Sequence, residues 1–311
     1  MKSDFIISKS PFIHSGKTSK KIMLIVTLAL LPAVAASLYF FRLSALHLLG
    51  TCIISCVAFE FVIRKIRNRQ PNISDCSSLV TGILLALILP PGFPLGAAVL
   101  GSFAAIFLGK EVFGGIGSNM FNPALVGRAF LTATFPVLTT TWSEPFSLQA
   151  VSTATPLGFI KFHDASTDLT LLFWGKISGS LGETSAAALL LGGLILIIFK
   201  VIDWRIPFSY IFTVGLFSLI FNKLNPQAYA GPLFEILAGG LLLGAIFMAT
   251  DPVTSPVTKK GRWVFGAGCG LLTMVIRYWG GLPEGVMYSI LFMNALRPLI
   301  DRYTRPVCFG G

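Results

Sequence analysis

The sequence predicts an all-α membrane protein with about ten transmembrane helices in two inverted five-helix repeats, some of the helices short or broken. Three observations carry this. Of 311 residues, 54% are apolar and only 12% charged, about half the charged share of a soluble domain, and the mean hydropathy is +0.79. The apolar residues form long runs punctuated by glycine and proline. A stretch of the first half also reappears in the second. Ten spans of about 20 residues would use about two thirds of the chain, which excludes a large water-soluble catalytic domain.

A basic segment, residues 1–21, leads into apolar runs near 22–41 and 44–63. No small-residue cleavage pattern follows, so it reads as a cytoplasmic anchor and not a removable signal. The runs near 77–90 and 94–109 are too short for simple crossing helices. Pro90, Pro91, Gly92 and Pro94 separate them, which predicts broken or tilted helices. A run near 123–138 completes the first repeat, 22–138. Residues 139–184 form a long polar connection that contains Val151–Leu157 (VSTATPL) and Gly179–Ser185 (GSLGETS). Their hydroxyls and amides suit a phosphate or sugar, and equally a solvated loop. The second repeat, 185–300, holds runs near 185–200, 206–222, 233–249, 263–279 and 284–300, and 301–311 is a tail.

The internal similarity pairs Thr81–Leu89 (TGILLALIL) with Gly239–Phe247 (GGLLLGAIF), at an offset of 158. Prolines follow both, Pro90 and Pro91 in one half and Pro252 and Pro256 in the other. Gly114 and Gly115 before Asn122 parallel Gly280 and Gly281 before Asn294. Five spans per repeat give the copies opposite topology, an architecture that puts ligand and ion sites at discontinuous helices near the midplane.

The net charge of +11 does not point to nucleic acid, because the basic residues form no aromatic-interleaved patch. They sit between the apolar runs. With the N-terminus inside, Lys2, Lys9, Lys17, Lys20, Lys21, Arg64, Lys65, Arg67, Arg69, Lys110, Lys200, Arg205, Lys259, Lys260, Arg262, Arg297, Arg302 and Arg305 fall on the cytoplasmic side. Only Arg42, Lys161, Lys176, Lys223 and Arg277 fall outside, with Arg128 within a span. This satisfies the positive-inside rule, places both termini in the cytoplasm and puts residues 139–184 on the outer face.

Few motifs survive their bland alternatives. Five scattered cysteines and three distant histidines supply no iron–sulfur, zinc or haem spacing, and Cys52 and Cys56, four residues apart, read as small packing residues. Ser15–Thr18 lacks the first glycine and the preceding strand of a phosphate-binding loop. More informative is Gly114–Arg128, GGIGSNMFNPALVGR. Its glycines, Gly114 and Gly115 among them, let a planar ligand approach the backbone, and Asn119 and Asn122 offer donors and acceptors. A helix entry with Asn122 as cap and Pro123 in the first turn explains part of it. Asp251 and Glu284 sit at span edges, as do Asp75, Glu111, Glu235 and Asp301. A carboxylate at the bilayer centre costs roughly 2.5–3.5 kcal/mol, so each is either an interfacial cap or part of a cation pathway.

VSTATPL, GGIGSNMFNPALVGR, GSLGETS, ATDPVTSPVTKKGR and EGVMYSILFMNALRPLID together resemble one family over nearly the whole chain. It is the family of membrane subunits that comprises RnfD of the Rnf complex and NqrB of the sodium-translocating NADH:quinone oxidoreductase. The short N-terminal segment and the ATPL ending are similar to the Rnf member. The resemblance implies FMN joined through its phosphate to a threonine hydroxyl. The attachment motif matches Ala154 and Thr155, with Ser152 upstream, so Thr155 is the implied acceptor and Thr153 the runner-up. Gln149 stands where the motif usually has an acid. Riboflavin as a second flavin would match the loop of Asn119 and Asn122, with Arg128 at the end of that motif. Asp251, Glu284 and Asp301 match acidic positions associated with sodium movement.

The implied function is electron relay within an ion-translocating (Na⁺ or H⁺) ferredoxin:NAD⁺ oxidoreductase in the bacterial cytoplasmic (inner) membrane. The implied partners are the flavoprotein RnfG, iron–sulfur subunits and membrane lipid. Two rivals are the quinone-reductase membrane subunit and, in a different class, a redox-inactive channel or permease. The flavin would supply the redox chemistry and the protein position and electrostatics.

Overall fold

A computed structural model describes residues 18–68, 75–142, 145–146, 155–158, 169–175, 177–227, 229–281 and 284–306. Among these the chain is all-helical, without a β-strand. The two apolar runs at the start form α1 (Ser19–Ile66), whose halves meet at Arg42 with φ 48° in place of a loop. Thr18, the end of the phosphate-loop look-alike, caps α1 by accepting from the Lys21 N–H at 3.3 Å. Residues 15–17 lie outside the described residues.

The short runs are broken, as the prolines require. Helix α2 (Ser77–Leu87) stops before Pro90 and Pro91. Helix α3 (Leu95–Ile106) widens into a π-helical turn, Phe107–Glu111. Helix α4 (Pro123–Thr134) starts at the Asn122 cap, and the short α5 (Pro136–Thr139) continues it. After α6 (Leu169–Trp174) come α7 (Ala186–Ile198) and α8 (Arg205–Leu224). The run expected near 233–249 is split into α9 (Pro232–Leu237) and α10 (Leu241–Leu243), which continues as a π turn, Gly244–Met248. At the split, Gly239 and Gly240 have φ of +69° and +65°, a conformation that L side chains rarely adopt. Helices α11 (Lys259–Trp279) and α12 (Val286–Tyr303) complete the fold.

Packing puts the broken helices at the centre. Leu85, Leu87 and Leu89 are fully buried, as are Leu241, Leu243 and Ala245. The outer faces of α7 and α8 instead expose Leu190, Leu191, Leu194, Phe208 and Phe212. Among the described residues two helices, α1 and α8, are by length and composition apolar enough to cross a membrane. Charged groups are drawn inward: Glu60, Lys110, Glu111, Glu235 and Arg277 are all buried. Apolar outside with paired charges inside is the arrangement expected of a helical membrane protein. One polar joint fastens α8, α11 and α12, where Tyr210, Thr273 and Ser289 share hydroxyl hydrogen bonds of 2.7–3.0 Å.

The break after α2 frees carbonyls that a loop satisfies. Leu181 N–H donates to Leu89 O at 3.2 Å and Gly182 N–H to Leu87 O at 2.6 Å. That approach leaves no room for a side chain, since a Cβ on Gly182 would lie 2.8 Å from Leu243 Cδ2 and 3.0 Å from Leu87 Cβ. Gly182→Ala should therefore destabilise the detergent-solubilised protein by about 1–3 kcal/mol through overpacking, measured by thermal unfolding. Gly50→Ala, inside α1 and with a Cβ that meets nothing within 4 Å, should instead hold or slightly raise the midpoint, through about 0.4–1 kcal/mol of added stability.

Candidate functional site

Three groups of polar side chains gather at the helix breaks. The first joins α1, α2 and the π turn after α3. Arg64 Nη2 lies 2.7 Å from Glu60 Oε1, Arg64 Nε lies 3.1 Å from Glu111 Oε1, and Lys110 Nζ reaches Glu60 Oε1 at 2.8 Å and Ser77 Oγ at 2.5 Å. Asp75 accepts from the Ser77 N–H and hydroxyl at 3.0 and 2.8 Å, which fixes the entry to α2. The predicted loop wraps this cluster, with Gly115 beside Arg64 and Glu111. Gly114, Gly115 and Gly117 all have positive φ, from +89° to +120°, so the loop needs glycine for its path whether or not a ligand lies against it.

Asn122 does cap α4, accepting from Ala124 N–H at 3.1 Å, and its amide also donates to Met248 O at 3.3 Å. The Asn294 amide, oriented to satisfy both its groups, accepts from Asn122 N–H and donates to Thr254 O, each at 3.3 Å. The asparagines of the two glycine motifs thus meet. Asn119 donates to Phe121 O at 3.2 Å. Asn119, Asn122, Lys110, Thr250 and Asp251 line one cavity of about 70 Å³, closed on its other side by Met23 and Val26 of α1. At the roughly 10–15 Å³ that one water needs, this volume holds about five waters, and a flavin ring would need the cavity between α1 and the 250–253 segment to widen.

Asp251 accepts from the Thr254 hydroxyl at 3.1 Å, and burial pushes its carboxyl above the ordinary range, opposed by that hydrogen bond. Asp301 does not share this cavity. It accepts from Val257 N–H at 3.0 Å and lies 3.4 Å from Arg297 Nε. Glu284 is paired with Arg128 at 2.5 Å, next to Glu183, whose carboxyl burial pushes up to about 7, with Glu284 reinforcing the shift and Arg128 and hydrogen bonding from Ser180 opposing it.

The third group lies at the α9–α10 split. Arg277 Nη1 donates to Glu235 Oε2 at 2.8 Å and to Glu235 O at 2.6 Å, and Nη2 donates to Ala238 O at 2.9 Å. Thr155 opens a helical turn, 156–158, and its hydroxyl accepts from Gly158 N–H at 3.2 Å. Leu157 of the turn packs over Gly239: a Cβ there would fall 2.1 Å from Leu157 Cδ1 and 2.8 Å from Arg277 Nη2. Thr155 is buried, 4% exposed; an esterified Oγ1 would keep a lone pair for the Gly158 N–H, but the ester would need the turn to open toward solvent. Ser152, Thr153 and Ala154 lie outside the described residues, as do residues 1–17 and 307–311 and, of the expected external connection, 143–144, 147–154, 159–168 and 176.

Sequence reasoning missed Glu60 and read Glu183 as part of a hydroxyl-rich loop. It also counted Lys110 and Arg277 among loop charges, whereas both are buried in ion pairs. The Glu60–Arg64 spacing of four residues was the available signal. Nothing local marks Glu235 as the partner of Arg277, 42 residues away.

An apolar exterior, broken central helices and charges paired at the breaks fit the class of helical membrane proteins. The chain belongs to the NQR2, RnfD, RnfE family, whose model matches residues 6–310. It is 45% identical over 99% of its length to the D subunit of the proton-translocating ferredoxin:NAD(+) oxidoreductase complex of Clostridium ljungdahlii, covering 97% of that protein. It is also 45% identical over 98% of its length to the D subunit of the Na(+)-translocating ferredoxin:NAD(+) oxidoreductase complex of Acetobacterium woodii, covering 95% of that protein. Identity to the D subunit of the ion-translocating oxidoreductase complex of Stutzerimonas stutzeri is 43%, over 93% of this chain and 92% of that one.

Removing one member of a buried ion pair leaves an uncompensated charge, at about 3–5 kcal/mol. Arg277→Met should cost that much in thermal unfolding. The double variant Arg277→Met with Glu235→Leu should recover part of the loss.

Proposed function

We propose that this chain is the RnfD-type membrane subunit of an ion-translocating ferredoxin:NAD⁺ oxidoreductase complex and relays electrons through FMN esterified to Thr155. The observation that carries this is the 45% identity over essentially full length to two proteins named as the D subunits of such complexes. Those names favour this reading over the quinone-reductase subunit and over a redox-inactive channel. In the proposed complex the ferredoxin and NAD⁺ chemistry belongs to other subunits, among them iron–sulfur subunits and the flavoprotein RnfG. This chain contributes the attachment hydroxyl and its setting in the inner membrane.

The proposed topology has ten spans, both termini cytoplasmic, Thr155 on the outer face and the two five-span repeats inverted. The meeting of Asn122 with Asn294 supports the repeat, as does the burial of both similar stretches on either side of Gly182. When bound, FMN would supply one- and two-electron redox chemistry. The residues of this chain do the rest. Thr155 tethers, with Ser152, Thr153 and Ala154 as its motif neighbours, and Leu157 seats the turn on Gly239. Riboflavin between Asn119, Asn122 and the 250–253 segment would require the cavity to open. Asp251, Asp301 and the Glu284–Arg128 pair mark the proposed cation pathway. The two 45% relatives are named for different ions, proton and Na⁺, so overall similarity does not choose between them.

Thr155→Ala should abolish the ultraviolet fluorescence of the denatured protein band in membranes that contain the flavin transferase, and leave the amount of protein nearly unchanged. Loss of the turn's cap costs only about 1 kcal/mol. Mass spectrometry of the peptide spanning Thr155 should show added FMN. An unmodified peptide from native membranes would overturn the assignment.

A further inference from the structure

We propose that the Glu183 carboxyl is a proton-binding site, which takes up and releases one proton at Oε1 beside the Arg128–Glu284 pair. The bond formed is O–H on the carboxylate, the proton comes from water, and no electron moves. Glu183 is 6% exposed, and its Oε1 has no hydrogen-bond partner among the described residues. The site is built around it by two glycines. A Cβ on Gly179 would lie 2.8 Å from Oε2, and one on Gly240 would lie 2.9 Å from Oε1.

The charged groups facing Glu183 are Arg128 from α4 and Glu284 before α12. These two pair with each other at 2.5 Å, so Arg128 is already committed. The end of α2, the 241–248 segment and the first turn of α12 present Ile88, Leu243, Met248 and Val286, all apolar. An ionised Glu183 would thus add a negative charge with no cation of its own, eased only by Arg128 and by hydrogen bonding from Ser180, to an almost dry pocket, and burial outweighs these to favour the neutral acid. The pocket has room for about one water, roughly 10 Å³. That water is enough to pass a proton, but the six or so oxygens that surround a hard metal cation are not gathered there. With its carboxyl pushed up to about 7, Glu183 can change protonation state near neutral pH.

The site also adjoins the proposed flavin turn. Glu183 touches Gly240, and Leu157, two residues after Thr155, touches Gly239. A proton site and the attachment turn therefore bear on neighbouring residues of one left-handed break. This link, though not the proton site itself, rests on the Thr155 reading.

The test is pH-difference infrared spectroscopy of the intact complex in native-lipid vesicles, stepped across pH 7. The wild type should show a protonated-carboxyl C=O band that grows on the acid side and is missing in Glu183→Gln, a mimic of the neutral acid. Glu284→Gln should lower the midpoint by about one unit, because a like charge is removed and Arg128 is released. A band that persists in Glu183→Gln overturns the proposal, and so does a wild-type band that added sodium abolishes at constant pH. If Glu183→Gln does not accumulate, the Glu284→Gln midpoint decides, and an unmoved midpoint overturns the proposal. Covalent-flavin fluorescence on the same samples reads the Thr155 assignment separately. A wild type without fluorescence, but with a band lost in Glu183→Gln, would sink that assignment and leave the proton site standing.

Discussion

In an apolar surround every backbone N–H and C=O must find a partner within the protein, and two broken central helices make that constraint acute. Where α2 ends before Pro90, the carbonyls of Leu87 and Leu89 take their donors from Leu181 and Gly182. Where α9 ends before Gly239, the carbonyls of Glu235 and Ala238 take theirs from the Arg277 guanidinium. The rest of the central architecture follows. The segment that repairs the first break must run into the core, so it carries Glu183 with it. The residue that repairs the second is a cation, and Glu235 is buried beside it at 2.8 Å to balance its charge.

The charges obey the same logic. Each buried ion costs several kcal/mol in desolvation, and only close pairing and further hydrogen bonds return it. Glu60, Arg64, Lys110 and Glu111 meet this by sharing partners in a chain along α1 and the π turn. Arg128 and Glu284 meet it as a simple pair. Glu183 does not meet it: Oε1, like Oε2 of Glu60 and Glu111, has no hydrogen-bond partner, and among the described residues no ion pair reaches Glu183 as one does each of those two. It can do so by binding a proton. A group whose burial is balanced by protonation differs from one balanced by a fixed cation, because its charge follows the pH and the charge of its neighbours.

Much of the fold was legible because composition, prolines and glycines act locally. Pro90 and Pro91 announce the end of α2 and Asn122–Pro123 the start of α4, whereas the run expected near 233–249 gave no expectation of the break at Gly239–Gly240. The tight junction at Arg42 was less legible, since a single residue with φ 48° replaces the expected loop. The sites were legible only as residue types. Asn119, Asn122 and Asp251 read as separate features, and nothing in their spacing says that they line one cavity. Glu183 sits among hydroxyls and glycines that look like surface loop, and only the carbonyls left open by α2 explain why that loop is drawn inward. Thr155 was legible by resemblance to a motif, whereas the seating of its turn over Gly239 through Leu157 depends on contacts between residues far apart in the chain.

The attachment turn and the helix breaks form one unit, with Leu157 of the Thr155 turn held over Gly239 and Glu183 against Gly240. An electron-microscopy map of the assembled native complex at side-chain resolution tests it most directly. The account predicts phosphate density continuous with Thr155 Oγ1, Leu157 against Gly239 and the Glu183 carboxyl against Gly240. A bare Thr155 hydroxyl, or an attachment turn standing away from the break, would contradict it.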